Sequence, residues 1–207
     1  MTADRSAASA APDELEVRLA RLGLPGGGVK DRQATLPSAL RTFHRRLLGA
    51  FLTQAGPPDP AVVAHLAAEL ALDPRAALAA LAAADVVHTD PATGRISIAY
   101  PFSGQPTPHR VALAGGPSVH AMCALDALGI PQMTRRDARI SSTDPVSGQP
   151  VTIEAQHGVW QWEPATTVVL VAAAGGACGT VADCCCPTST STPTLSRPRP
   201  ISRRTWA

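Results

Sequence analysis

Residues 138–155, ARISSTDPVSGQPVTIEA, decide the fold class. Two runs containing Ile, Val and Thr flank Ser147-Gly148, a combination that predicts two strands closed by a turn. Working outward, HRVALAGG (109–116) and EPATTVVLVAAAGG (163–176) predict further strands. Between them, GGPSVHAMCALDALGIP (115–131) predicts a helix entered through Gly-Gly-Pro and stopped at Pro131. Strands thus alternate mainly with turns, not helices. That pattern favours an antiparallel, α+β domain over a doubly wound one.

The first half of the chain differs. SALRTFHRRLLGAFLTQAG (38–56) spaces Leu40, Phe43, Leu47, Leu48, Phe51 and Leu52 as one helical stripe opposite Arg45 and Arg46. Asp59-Pro60 and Asp73-Pro74 each pair an N-cap acid with Pro at the first helical position, so two more helices follow. VVHTDPATGRISIAY (86–100) then predicts strand, turn and strand. Three helices and a hairpin make a winged-helix-like pattern. The expected organisation is a mobile leader over 1–36, rich in Ala and Gly, a winged-helix-like domain over 37–100, an antiparallel β-sheet domain with a short active-site helix over 101–186, and an atypical Ser/Thr/Pro/Arg tail over 187–207.

Composition narrows the function. The 207 residues are 45% hydrophobic with a formal net charge of +2 and no basic face, which argues against an electrostatic nucleic-acid binder. The N-terminus has no apolar signal region, and no apolar run reaches membrane-span length, so no membrane partner and a cytoplasmic location are expected. Aromatics are only 3%, leaving Ala, Leu and Val to fill the core. Trp160 and Trp162, at alternating spacing, predict two rings packed as core on one strand face. The five cysteines are Cys123, Cys178 and the run Cys184, Cys185 and Cys186, with no secreted framework spacing. In a reducing compartment they are thiols, metal ligands or catalytic groups.

Cys123 and Asp126 stand three residues apart in the predicted helix, which places thiol and carboxyl on one face with the sulfur in the first turns, near the positive end of the helix dipole. Taken alone, the spacing favours a buried cysteine among Met122, Leu125 and Leu128 with a surface Asp126. The terminal run adds weight to chemistry, because vicinal thiols are strained as a disulfide and suit a soft metal ion.

Cys123-Ala124-Leu125-Asp126-Ala127-Leu128 closed by Ile130-Pro131, then Arg139-Ile140-Ser141-Ser142, Ser147-Gly148-Gln149-Pro150-Val151 and a cysteine cluster together resemble the organomercurial (alkylmercury) lyase, or MerB, family. The resemblance runs from about Thr42 to Pro187. It implies a lyase that cleaves carbon–mercury bonds by protonolysis, giving a hydrocarbon and Hg²⁺. It also implies that Cys123 and a cysteine near the C-terminus, Cys186 or secondly Cys185, bind mercury, and that Asp126 delivers the proton. No cofactor is implied; Hg²⁺ is bound as product and passed to small thiols or to mercuric reductase. One departure is Asp144, where some members carry a structural cysteine. The chemistry is self-consistent, since two thiolates suit the soft R–Hg⁺ ion and a departing carbon needs an acid, whose protonated form burial beside negative sulfurs favours.

The tail departs from the family, which continues with an aromatic strand and an Ala-rich helix. Regrouping the codons of Pro187 to Thr192 by one base allows His-Ile-Asn-Phe-Tyr, a strand pattern, and the rest allows an Ala-rich helix ending in Gly. The expectation is one base lost near the Cys186 and Pro187 codons; an authentic low-complexity tail is the alternative. Two other functions compete: a winged-helix metal-responsive regulator, disfavoured because RAALAALAAADVV (75–87) offers one Arg to DNA, and a non-catalytic thiol metal-binding protein, which would have no use for Asp126.

Overall fold

The computed structural model describes residues 29–170 and 190–193, of which 170 and 190–193 are described by backbone alone. It opens with helix α1 (Val29–Thr35), followed by α2 (Ser38–Gln54), α3 (Pro60–Ala68) and α4 (Pro74–Ala83). Ordered structure inside the expected leader is a correction to that boundary. It arises because Leu36, just past α1, inserts into the core and Gln33 Nε2 donates to His44 Nδ1 at 2.9 Å.

On α2 the predicted stripe is the buried face: Phe43, Leu47 and Phe51 are buried, Leu40, Leu48 and Leu52 flank them, and Arg45 and Arg46 face solvent. The helix closes at Ala55 in left-handed conformation (φ 56°), with the Gly56 N–H on the Phe51 carbonyl at 3.0 Å. Asp73 caps α4 by accepting from the Ala76 N–H at 2.7 Å. Asp59 does not cap α3 in this way; its carboxylate takes the Arg95 guanidinium at 3.1 Å instead.

The strands β1 (Val87–Thr89), β2 (Ile96–Ala99), β3 (Phe102–Ser103), β4 (Arg110–Leu113), β5 (Ser118–Ala121), β6 (Ala138–Thr143), β7 (Pro150–Gln156) and β8 (Val159–Glu163) form one sheet. Its order is β1-β2-β3-β5-β4-β6-β7-β8, and every pairing is antiparallel. The opening hairpin is β6–β7, with Gly148 at φ 71° in its turn. Asp144, nearly fully buried, organises that turn by accepting from the Val146 N–H (3.1 Å), the Ser147 N–H (3.3 Å) and the Ser147 hydroxyl. Helix α5 (Ala124–Thr134) packs on β4, β5 and β6. A two-stranded ribbon of β9 (Thr167–Leu170) and β10 (Thr190–Pro193) brings β10 against α5, β6 and β7. The chain as printed therefore takes a strand at Thr190–Pro193; the remainder of the tail lies outside the described residues.

Two expectations for residues 115–131 change. Ser118–Ala121 is strand, because it is sandwiched between β3 and β4 with Val119 and Ala121 facing inward. Pro131 lies within α5 and does not stop it: Ile130 and Pro131 are buried, and the helix ends at Arg135 in left-handed conformation (φ 53°).

One continuous core joins the helices to the sheet, from Leu36 to Ile153. Phe51 of α2 stacks on Phe102 of β3, centroids 5.6 Å apart at 13°. Truncating Phe51→Ala removes a buried ring at that junction and is expected to destabilise the fold by about 3–5 kcal/mol, measurable by chemical denaturation.

His44, on the buried face of α2, was not anticipated as core. Burial holds its pKa down at about 4 despite an opposing upward pull from the Val86 backbone carbonyl. His109, also buried, is shifted down for the same reason. Since the unfolded chain binds the His44 proton near pH 6.5 and the folded one near 4, stability is full above 6.5 and falls as pH drops between those values. The loss expected from His44 is about 3 kcal/mol. Denaturation midpoints at pH 7 and pH 4 should show it, and His44→Gln should flatten the slope.

Candidate active site

β5 delivers the chain to Cys123, and the Met122 N–H fixes that entry by donating to the Pro101 carbonyl at 3.1 Å. Cys123 is the N-cap of α5, not a residue of its first turn as expected: its backbone is extended (φ −153°, ψ 178°) while its carbonyl already accepts from the Ala127 N–H at 2.9 Å. A thiol thus occupies the place that Ser, Thr, Asp or Asn normally fills. The Asp126 N–H donates to Cys123 Sγ at 3.4 Å, and Sγ donates to Asp126 Oδ2 at 3.1 Å. The N3 backbone N–H thus caps on the sulfur as in a capping box, while the acidic side chain reaches back to the capping thiol itself. The sulfur sits at the positive end of the helix, where an anion is stabilised, with an acid one hydrogen bond away.

The thiol is only 5% exposed and Asp126 is half-buried. Cys123 packs with Tyr100, and Val29, Ile98 and Met122 close around the pair. The Tyr100 ring meets His88 edge-on at 5.7 Å, and His88 Nε2 lies 2.8 Å from Asp85 Oδ1. On the β4 side, His109 Nδ1 and Ser142 Oγ are 2.9 Å apart, both buried, and the His109 carbonyl accepts from Ala121 N–H at 2.9 Å. His120 Nδ1 accepts from the Thr107 N–H at 3.2 Å, which ties the preceding loop to β5.

The structure brings Cys123 and Asp126 together as the spacing predicts, while Tyr100, His109 and His44 were not singled out from the sequence. A usable signal existed for Tyr100, the only tyrosine in the chain. Of Arg139-Ile140-Ser141-Ser142, only Ile140 and Ser142 turn inward, while Arg139 pairs with Glu154 at 2.6 Å on the open face. Trp160 and Trp162 are not plain core. They stand on the edge strand β8, Trp162 is 47% exposed, and both line an apolar cleft of about 310 Å³ with Leu128, Gln132, Ile153 and Val169. Cys178, Cys184, Cys185 and Cys186, the expected second mercury ligand among them, lie outside the described residues.

Residues 102–192 match the family model described as MerB, alkylmercury lyase. The matched span begins at β3, includes Cys123, Asp126 and the cysteine run, and ends within β10. The chain is also similar to a solved structure described as the mercury-bound form of MerB2. That likeness has a TM-score of 0.63 and 16% identity over 80% of this chain and 79% of that one, a level that speaks to the fold. No curated protein sequence matches. The capping thiol and the acid hydrogen-bonded to it thus lie inside the stretch that matches the alkylmercury lyase (MerB) family model, in a chain whose fold is similar to that of MerB2.

Proposed function

We propose that the protein is an organomercurial lyase that breaks the carbon–mercury bond by protonolysis. The observation that carries this is the 3.1 Å contact between Cys123 Sγ and Asp126 Oδ2 at the head of α5. Mercury in R–Hg⁺ is a soft acid, and the Cys123 thiolate is its first ligand. As sulfur binds mercury, the thiol proton passes to Asp126. A second thiolate, from Cys186 or Cys185, then completes a two-sulfur set, raises electron density on the carbon and weakens its bond to the metal. Asp126 gives its proton to that carbon, the hydrocarbon leaves, and Hg²⁺ stays on the two sulfurs. Proton and charge balance without a resident cofactor.

The backbone supports a role for the terminal run. Three residues separate Cys186 from Thr190, a span of at most about 14 Å, comparable to the roughly 16 Å length of α5, against which β10 packs. Small thiols, and mercuric reductase as the family implies, are the proposed acceptors of Hg²⁺. Helices α2–α4 with the β1–β2 hairpin are proposed as a winged-helix-like unit serving as scaffold: α4 buries Ala77 and Leu81 in the common core. Among the described residues no helix is long and apolar enough to cross a membrane.

The test is benzene release from phenylmercury by the purified chain, followed by gas chromatography. Release at several turnovers per protein in excess thiol is expected; none above the thiol-only control would sink the proposal.

A further inference from the structure

We propose that Val29, carried on α1, is a specificity-determining residue that sets how large an organic group can reach Cys123; its meaning for catalysis rests on the lyase function proposed above. Among the described residues, the apolar side chains packed on the Tyr100–Cys123 pair are Val29, Ile98 and Met122. Ile98 is locked by the pairing of β1 with β2 and β2 with β3, Tyr100 by its N–H on the Val86 carbonyl at 3.3 Å, and Met122 by its N–H on the Pro101 carbonyl. Val29 alone of these comes from outside the sheet and its connections.

The element that carries it is lightly held. Helix α1 has seven residues and none of them is buried. Its anchors lie toward its C-terminal end: Leu36 in the core, the Gln33–His44 hydrogen bond and the Arg32–Asp85 pair at 3.8 Å. Val29 is at the opposite end, where it packs on the Tyr100–Cys123 pair and on the margin of the main core. An element with few buried apolar contacts opens at low free-energy cost. A thiol 5% exposed cannot meet a ligand-bearing mercury atom unless part of its cover yields. The yielding part is α1, and the side chain at position 29 sets the bulk that passes.

The experiment uses the full chain with Val29→Ala and Val29→Phe, and Val146→Ala in the exposed β6–β7 turn as a control. Cys123 alkylation is timed by peptide mass mapping with N-methylmaleimide and with N-pyrenylmaleimide, which share one reactive group and differ in size. Val29→Ala should raise the bulky-to-small rate ratio about tenfold, Val29→Phe should lower it, and the control should leave it unchanged. The kcat/KM ratio for phenylmercury over methylmercury should move the same way. An unchanged alkylation ratio in both Val29 variants would overturn the inference. A shifted alkylation ratio with no hydrocarbon from any variant would uphold the inference about access and overturn the lyase function alone.

Discussion

Asp126→Asn is expected to keep mercury bound and to lose hydrocarbon release by at least about a hundredfold. The substitution is nearly isosteric and leaves the Asp126 backbone N–H that donates to Cys123 Sγ, so the head of α5 keeps its geometry. What disappears is the acid that accepts a hydrogen bond from the sulfur at 3.1 Å. An amide cannot take up a thiol proton and return it to carbon, and positioned acids of this kind contribute roughly 10²–10⁴ in rate. Two readings on one sample check it: mercury retained after gel filtration, and hydrocarbon released per minute. Turnover within a few fold of the parent would remove Asp126 from the mechanism.

Cys123→Ser separates catalysis from folding more sharply. Serine is among the best N-cap residues, so α5 should be capped at least as well as by the thiol, and stability should change by no more than about 1 kcal/mol. The hydroxyl is a hard, weakly acidic ligand and a poor match for mercury. Activity should fall to background while the denaturation midpoint stays put. A large loss of stability would mean that burial against Tyr100 matters more than the cap.

Much of this site was legible in the sequence because its chemistry is local. Cys123 and Asp126 are three residues apart, so one helix start is enough to bring them together. The α2 stripe and the β6–β7 hairpin were legible for the same reason, each being governed by a short repeat or a turn. What was not legible depends on distant partners. SVHA reads as the start of a helix beside CALDAL, and only the flanking strands β3 and β4 make it a strand. Gly-Gly-Pro resembles a helix entry but serves the β4–β5 turn, with Gly115 at φ 61°. The exact place of the thiol shifted with it, from the first turn to the cap. α1 has no strong pattern of its own and is fixed through Gln33, Arg32 and Leu36 by residues far along the chain. Trp160 and Trp162 alternate correctly, but edge position leaves their face as a cleft wall.

The C-terminal part of the site has a simple genetic test. Resequencing the coding DNA across Cys184 to Pro193 should reveal one further base, restoring an aromatic strand after the cysteines; confirmation of the printed frame would leave Thr190–Pro193 as the native β10.

The most direct measurement of the central claim is methane release from methylmercury in D₂O, analysed by mass spectrometry. Proton delivery from an acid that exchanges with solvent predicts methane carrying one deuterium, with none formed by Cys123→Ser. Methane without deuterium, or no hydrocarbon at all from the parent protein, would contradict protonolysis at the Cys123–Asp126 pair.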